Sequence, residues 1–285
     1  GVDIRRLRDD GKIHRCPTLA HPRSTNGAYA FDGTRGWVMA WDAGGHTQWY
    51  DDPNAKPLTH AEREEWKRRH EAERQAKEQR QRQSAQEAQA LIRSCSLAEH
   101  GYLRLKGFPT LRGLVDEHDV LVIPMRNLHT NALQGAQRIY WDDESRSWVK
   151  KMIPGMRAKV AVLRMGPPAV GLTVLCEGFA TGLSIQAALD QMRLRAAVLV
   201  CFSDHNMVQV SETVSGPVIV AADHDHPSKV TGLQAGHEAA RQIGAPFFMA
   251  PTLGHDANDW HQDAGLMPLC AAIMTARREL ARAAA

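Results

Sequence analysis

Long apolar runs are missing from this chain. None of its 285 residues lies in a stretch approaching the roughly 18 needed to span a bilayer, and the polar, basic start carries no signal peptide. No membrane partner is expected. Cysteine pairs are missing too. Cys16, Cys95, Cys176, Cys201 and Cys270 are scattered, odd in number and without a Cys-x-x-Cys spacing. That excludes a disulfide framework and predicts a reducing, cytoplasmic setting. An excess of one charge is also absent, since 35 Lys and Arg against 32 Asp and Glu leave a net +3. Bulk charge therefore does not select a nucleic-acid partner, and only a local basic surface would. There is no phosphate-binding P-loop of a helicase and no internal repeat. The chain opens on Gly1 rather than Met, which reads as a piece of something longer.

What is present falls into five regions. Residues 1–57 read as a small β-rich module, with short aromatic-bearing runs at 28–31, 36–41 and 47–50. Asp32-Gly33 and Gly44-Gly45 are hairpin-type turn signals between them. Trp37, Trp41, Trp49 and Tyr50 are expected to form its core, with nucleobase stacking as the alternative. Residues 58–94 read as a charged helical connector, opened by the capping box Thr59-His60-Ala61-Glu62 and polar nearly all round. Residues 95–169 read as a basic α+β subdomain, with a short helix over 97–103, strands at 120–124 and 135–141, and a return from Trp148. Arg126, Arg138, Lys150, Lys151, Arg157 and Lys159 make it locally basic and suit a phosphate backbone. Residues 170–262 alternate strand and helix, as a parallel sheet with right-handed crossovers does. Residues 263–285 form an Ala/Arg-rich C-terminal helix.

The chemistry concentrates in the fourth region. Leu172-Thr173-Val174-Leu175-Cys176 leads into Glu177, and Val218-Ile219-Val220-Ala221-Ala222 leads into Asp223-His224-Asp225. Such runs read as buried parallel strands, and ligands bind beyond the carboxyl ends of those strands. Alternation puts Asp223 and Asp225 on one side, where they can hold Mg²⁺ or Mn²⁺ through oxygen. Glu177 arrives from another strand end as a general acid/base. Gly178 and Gly182 would let a phosphate approach the backbone at the following helix N-terminus.

The segments Leu175-Cys176-Glu177-Gly178-Phe179-Ala180-Thr181-Gly182 and Val218-Ile219-Val220-Ala221-Ala222-Asp223-His224-Asp225 resemble the Toprim domain, and within it the primases of phages, plasmids and mobile elements. Gly232 through Gly244 fits the next helix of that pattern. Gly254-His255-Asp256-Ala257-Asn258-Asp259 resembles the stretch that follows the last strand. The segment from Gly11 to Thr18, the Gly-Trp run to Trp49, and 121–139 resemble the upstream parts of such primases. The resemblance implies Glu177 as general acid/base and Asp223 and Asp225 as Mg²⁺ ligands. Cellular primases carry a further acid four positions after the motif Glu, and Thr181 stands there. Asp256 or Asp259 is the expected substitute. His14, Cys16 and His21 lack a fourth ligand, so no zinc is expected.

The expectation is a DNA primase acting on single-stranded DNA and nucleoside triphosphates. Any helicase would come from another chain or a missing C-terminal part. A Toprim nuclease and a non-catalytic binding protein on the same scaffold are the alternatives. A topoisomerase is disfavoured, since none of Tyr29, Tyr50, Tyr102 and Tyr140 stands in a nucleophile setting.

Overall fold

The computed structural model describes residues 1–40, 46–53, 59–167, 171–228 and 233–283. Trp41, the turn expected at Gly44-Gly45, Leu58 and the first residues of the helix expected from 231, Gly232 included, lie outside these. The chain forms two compact units, one of residues 1–71 with 227–233 and the other of 72–226 with 234–285. The division falls within the connector helix rather than at its ends.

The first unit carries an antiparallel sheet of β1 (His14–Cys16), β2 (Gly27–Phe31), β3 (Arg35–Ala40) and β4 (Thr47–Asp51), in that spatial order. Asp32 makes the β2–β3 turn by accepting from the backbone of Thr34 and Arg35. The core is not the expected aromatic cluster. Cys16, Ala28, Tyr29 and Ala40 are buried, whereas Trp49 and Tyr50 are 76% and 54% exposed. The reason is topological: β4 is an edge strand, so its side chains have neighbours on one flank only.

Helix α1 (His60–Ser94) begins at Thr59, whose hydroxyl accepts from Glu62 N–H while the Glu62 carboxylate accepts from Thr59 N–H, the reciprocal pair of a capping box. In the second unit the chain continues through β5 (Ser96–Ala98), α2 (Gly101–Leu105), β6 (Gly113–Val115), β7 (Leu121–Asn127), β8 (Leu133–Asp142), β9 (Ser147–Met152) and β10 (Ala161–Met165). The single helix expected over 97–103 is thus a strand followed by a helical turn and a half. Ser96–Ala98 finds a pairing partner 17 residues on, in Gly113–Val115, which no local pattern announces.

The alternating region follows as β11 (Thr173–Cys176), α3 (Phe179–Gln191), β12 (Ala197–Val200), α4 (Asp204–Ser211), β13 (Val218–Ala221), α5 (Ala235–Ile243) and β14 (Phe247–Phe248). Helices α6 (Ala257–Ala264) and α7 (Leu266–Ala283) close the chain. Strands β14, β13, β11 and β12 are parallel neighbours in that order, as expected. They are four strands of a ten-stranded mixed sheet, because β10 pairs antiparallel with both β12 and β7. Every residue of β11 and β12 is buried, so both strands read as unbroken apolar runs.

Side chains alternate between the two faces. Val174, Cys176, Val198 and Val200 pack with Ile185, Leu189, Leu269 and Ile273 on the α3/α7 side. Leu175, Leu199 and Val220 pack with Met207, Val210, Ala239 and Ala240 on the α4/α5 side. Each such buried side chain contributes about 1.5–3 kcal/mol. After β11 the chain steps to β12 on one flank, then crosses to β13 on the other. That reversal is the topological switch point at which open α/β sheets bind ligands. Among the described residues, no helix is long and apolar enough to cross a membrane.

Candidate active site

The register brings three strand ends together, since Cys176 lies opposite both Val200 and Ala221. Glu177 is the first residue beyond β11, Asp223 follows two residues after Ala221, and Asp204 opens α4 just beyond β12. Asp204 was not anticipated from the sequence. The signal existed: Ala196–Cys201 is a buried apolar run like those before Glu177 and Asp223, but Phe202 and Ser203 separate it from the acid.

The backbone around these acids is fixed by specific bonds. Phe202 N–H donates to the Glu177 carbonyl at 2.9 Å and Cys201 N–H to the Cys176 carbonyl at 2.8 Å. The His224 ring bonds the Ala250 carbonyl at 2.8 Å, so His224 points away from Asp223 and Asp225 as alternation requires. Asp225 Oδ2 accepts from Gly236 N–H at 3.1 Å, in the first turn of α5. Gly236 is obligatory there, because a Cβ would lie 2.5 Å from the Asp223 carbonyl oxygen.

The acids at these strand ends perturb one another. Burial first, then the charges of Asp204 and Asp223, push Glu177 up to about 8, and it donates a hydrogen bond to Asp204. Burial, followed by Asp256 and Asp225, raises Asp223 to about 7, with Lys150 opposing. Burial and Asp225 raise Asp204, against the bond from Glu177. Asp223 Oδ1 and Asp204 Oδ1 are buried with no hydrogen-bond partner. Among the described residues no three His, Cys, Asp or Glu side chains converge as a ready metal cage.

The other expected site residues separate into groups. Asp256 Oδ1 caps α6 through Asn258 and Asp259 N–H, while Oδ2 accepts from the buried Thr181 hydroxyl at 3.1 Å. Thr181 thus links to an acid although it carries no charge itself. Asp259 is otherwise engaged, with one oxygen on Asp256 N–H and the other 3.3 Å from Lys106 Nζ. Asn258 Nδ2 ties α6 to Ser184 and to the Lys106 carbonyl. Packing alone requires a glycine at 182, since a Cβ there would lie 2.6 Å from Val200 Cγ2 inside the core. Gly178 is the N-cap of α3 and supplies no side-chain bond to it.

The basic residues do not form one surface. Lys150 pairs with Ile139, sits 5.5 Å above the Tyr102 ring and is felt by Asp223. Arg138 and Lys151 pair with each other on the opposite face of β8 and β9, the face where Ala136 packs on Ala88 of α1. Arg126 donates to the Asn131 carbonyl at 3.0 Å, and Arg157 and Lys159 are exposed after β9. Tyr102 is buried, and burial lifts its phenol to about 12, which leaves it unsuited as a nucleophile.

Among solved structures the chain is similar to the zinc-binding and RNA polymerase domains of the Aquifex aeolicus primase. The identity is 15% and the TM-score 0.38, over 64% of this chain and 50% of that one. The chain thus spans half the length of that structure. No curated protein matches it. Residues 172–266 match the family model of the Toprim domain, and that segment holds the α/β core carrying Glu177, Asp204 and Asp223.

Proposed function

We propose that this protein is a DNA primase of the mobile-element type, joining ribonucleotides on single-stranded DNA by metal-dependent nucleotidyl transfer. The observation that carries the reading is the gathering of acids from three strand ends at the switch point of a Toprim domain. The resemblance of 121–139 to primases favours primer synthesis among Toprim activities.

The donor set fits Mg²⁺ or Mn²⁺. It is all carboxylate oxygen, and one Asp223 oxygen is buried without a partner, a costly state that a cation relieves. Asp223 and Asp225 would hold the ion, with Asp256 adding charge beside Asp223. Bound there, it would supply charge neutralisation at the reacting phosphate and the leaving group. Glu177 takes the proton of the primer 3′-hydroxyl as that oxygen bonds the α-phosphorus and pyrophosphate departs. Without a cation, burial and the neighbouring acids keep Glu177 protonated near neutral pH, and a divalent ion bound beside it would favour the carboxylate that accepts the proton. Lys150, on the carboxylate side, would hold the triphosphate. Arg126, Arg157 and Lys159 would follow the template. In the first unit, Arg5, Arg6, Arg8 and Arg15 line a cavity of about 360 Å³, which supports a template contact there as well.

Primer synthesis from labelled NTPs on single-stranded DNA, with wild type beside Asp223→Asn, tests the reading. Primers from wild type alone are expected. Metal-dependent strand cleavage without primers would move the assignment to a nuclease. DNA binding without turnover would move it to a binding protein.

A further inference from the structure

We propose that Asp204 is a fourth carboxylate of this centre, a ligand for the divalent cation that takes the place of the acid missing at position 181. The inference rests on the metal-dependent reading above.

Asp204 does not serve its own helix. An acid in the first turn of a helix usually serves the dipole from solvent or caps the helix. Here the cap is already supplied, because Ser203 Oγ accepts from Asn206 N–H at 3.2 Å. Asp204 is also only partly open to solvent. Its Oδ1 is buried and unpartnered, and its carboxylate accepts a hydrogen bond from Glu177. A buried acid beside other acids weakens the metal-free fold, so stability does not account for it.

The turn that carries Asp204 is built to hold it there. Phe202 takes a φ of +65°, a left-handed conformation costly for a bulky residue. Its N–H is bonded to the Glu177 carbonyl, which ties the turn to the residue it faces. The buried Asn206 locks the other side. Its amide donates to the Ala161 and Cys201 carbonyls and accepts from Val160 N–H, each at 2.8 Å, leaving it fully satisfied. At position 181, by contrast, the buried Thr181 hydroxyl is spent on Asp256. Asp204 thus stands beyond the end of β12 as Glu177 and Asp223 stand beyond those of β11 and β13.

The test is a Mn²⁺ titration of the whole chain, with free ion read by electron paramagnetic resonance, together with thermal melts in EDTA. Wild type, Asp204→Asn and Asp223→Asn are compared. Asp204→Ser is included as a second removal of the carboxylate should the first variant not fold. Removing Asp204 is expected to weaken Mn²⁺ binding by roughly tenfold or more and to raise the metal-free Tm. Wild-type affinity in the Asp204 variants, with affinity lost in Asp223→Asn, would overturn the proposal and leave the metal-dependent reading standing. A lowered metal-free Tm with unchanged affinity would overturn it in favour of a structural role. Absence of Mn²⁺ binding in wild type would overturn both.

Discussion

The acidic strand ends of β11, β12 and β13 and the basic strands β8 and β9 belong to one sheet, yet they treat charge in opposite ways. Parallel strands in register deliver their carboxyl ends to one place. Acids separated by 27 and 19 residues, as Glu177, Asp204 and Asp223 are, therefore meet. Within any strand, by contrast, successive side chains alternate faces. Lys150 and Lys151, adjacent in sequence, are sent to opposite sides of the sheet. Charge is thus concentrated where parallel strands end together and divided where it lies within a strand.

The sharpest way to break this comparison is at Glu177. If the parallel ends form a working centre, Glu177→Gln keeps the fold and loses primer synthesis by roughly 10²–10⁴-fold, the range of a general base. Steady-state primer yield beside a thermal melt measures it. Full activity in a folded variant would reduce the acidic cluster to a structural oddity.

A pH series comes next. Glu177 is raised from 4.5 to about 8 and Asp223 from 3.8 to about 7 in the folded protein. The fold therefore binds more protons than the unfolded chain between those limits. Their stabilising contribution is full below about pH 4 and is lost as pH rises through 7 to 8. In EDTA the Tm should fall across this window, and Mg²⁺ should suppress the fall. Glu177→Gln should flatten its upper part. A wild-type Tm in EDTA that is level from pH 5 to 8 would contradict the crowding of these acids.

How much of this was legible follows from the same contrast. Glu177 and Asp223 could be read because each follows an apolar run at once. Asp204 follows one too, but across a Phe in a left-handed conformation that no propensity predicts. Strand β10 escaped because its partners, Val198–Val200 and Arg126–Asn127, lie more than thirty residues away on either side. The packing demand at Gly182 is invisible in the sequence, because it comes from the Val200 side chain on a strand 18 residues away. Exposure of Trp49 and Tyr50 depends on β4 being an edge, which is a property of the sheet and not of the strand.

Gly236→Ala probes the positioning of the acids without touching one. The new Cβ would meet Asp223 carbonyl oxygen at 2.5 Å and Asp223 N at 2.8 Å, atoms that cannot rotate away. Overpacking of this kind costs about 1–3 kcal/mol. The helix should also withdraw its N–H from Asp225. Denaturant unfolding should show the loss of stability, and Mn²⁺ titration a weakened site. Gly182→Ala serves as the contrast, with a clash against Val200 on the core side of α3. It should lose comparable stability while the metal affinity of the folded fraction stays at the wild-type value.

The smallest effect belongs to the divided hairpin, and it is the most direct test of division. Lys150 and Lys151 have the same charge and are one residue apart, so a diffuse electrostatic role would make their removal equivalent. The faces say otherwise. Lys150 lies over the Tyr102 ring and opposes the raised pKa of Asp223, whereas Lys151 pairs with Arg138 on the side that carries α1. Lys150→Ala should raise the KM for NTP by roughly tenfold, the equivalent of about 1.4 kcal/mol. Lys151→Ala should stay within about twofold, because an exposed cation on the far face is screened over about one Debye length, roughly 8 Å at physiological salt. Measuring both at two salt concentrations separates local contact from general field. Equal and equally salt-dependent losses would mean that the hairpin acts as one basic surface after all, and that the sheet does not divide its charge in function.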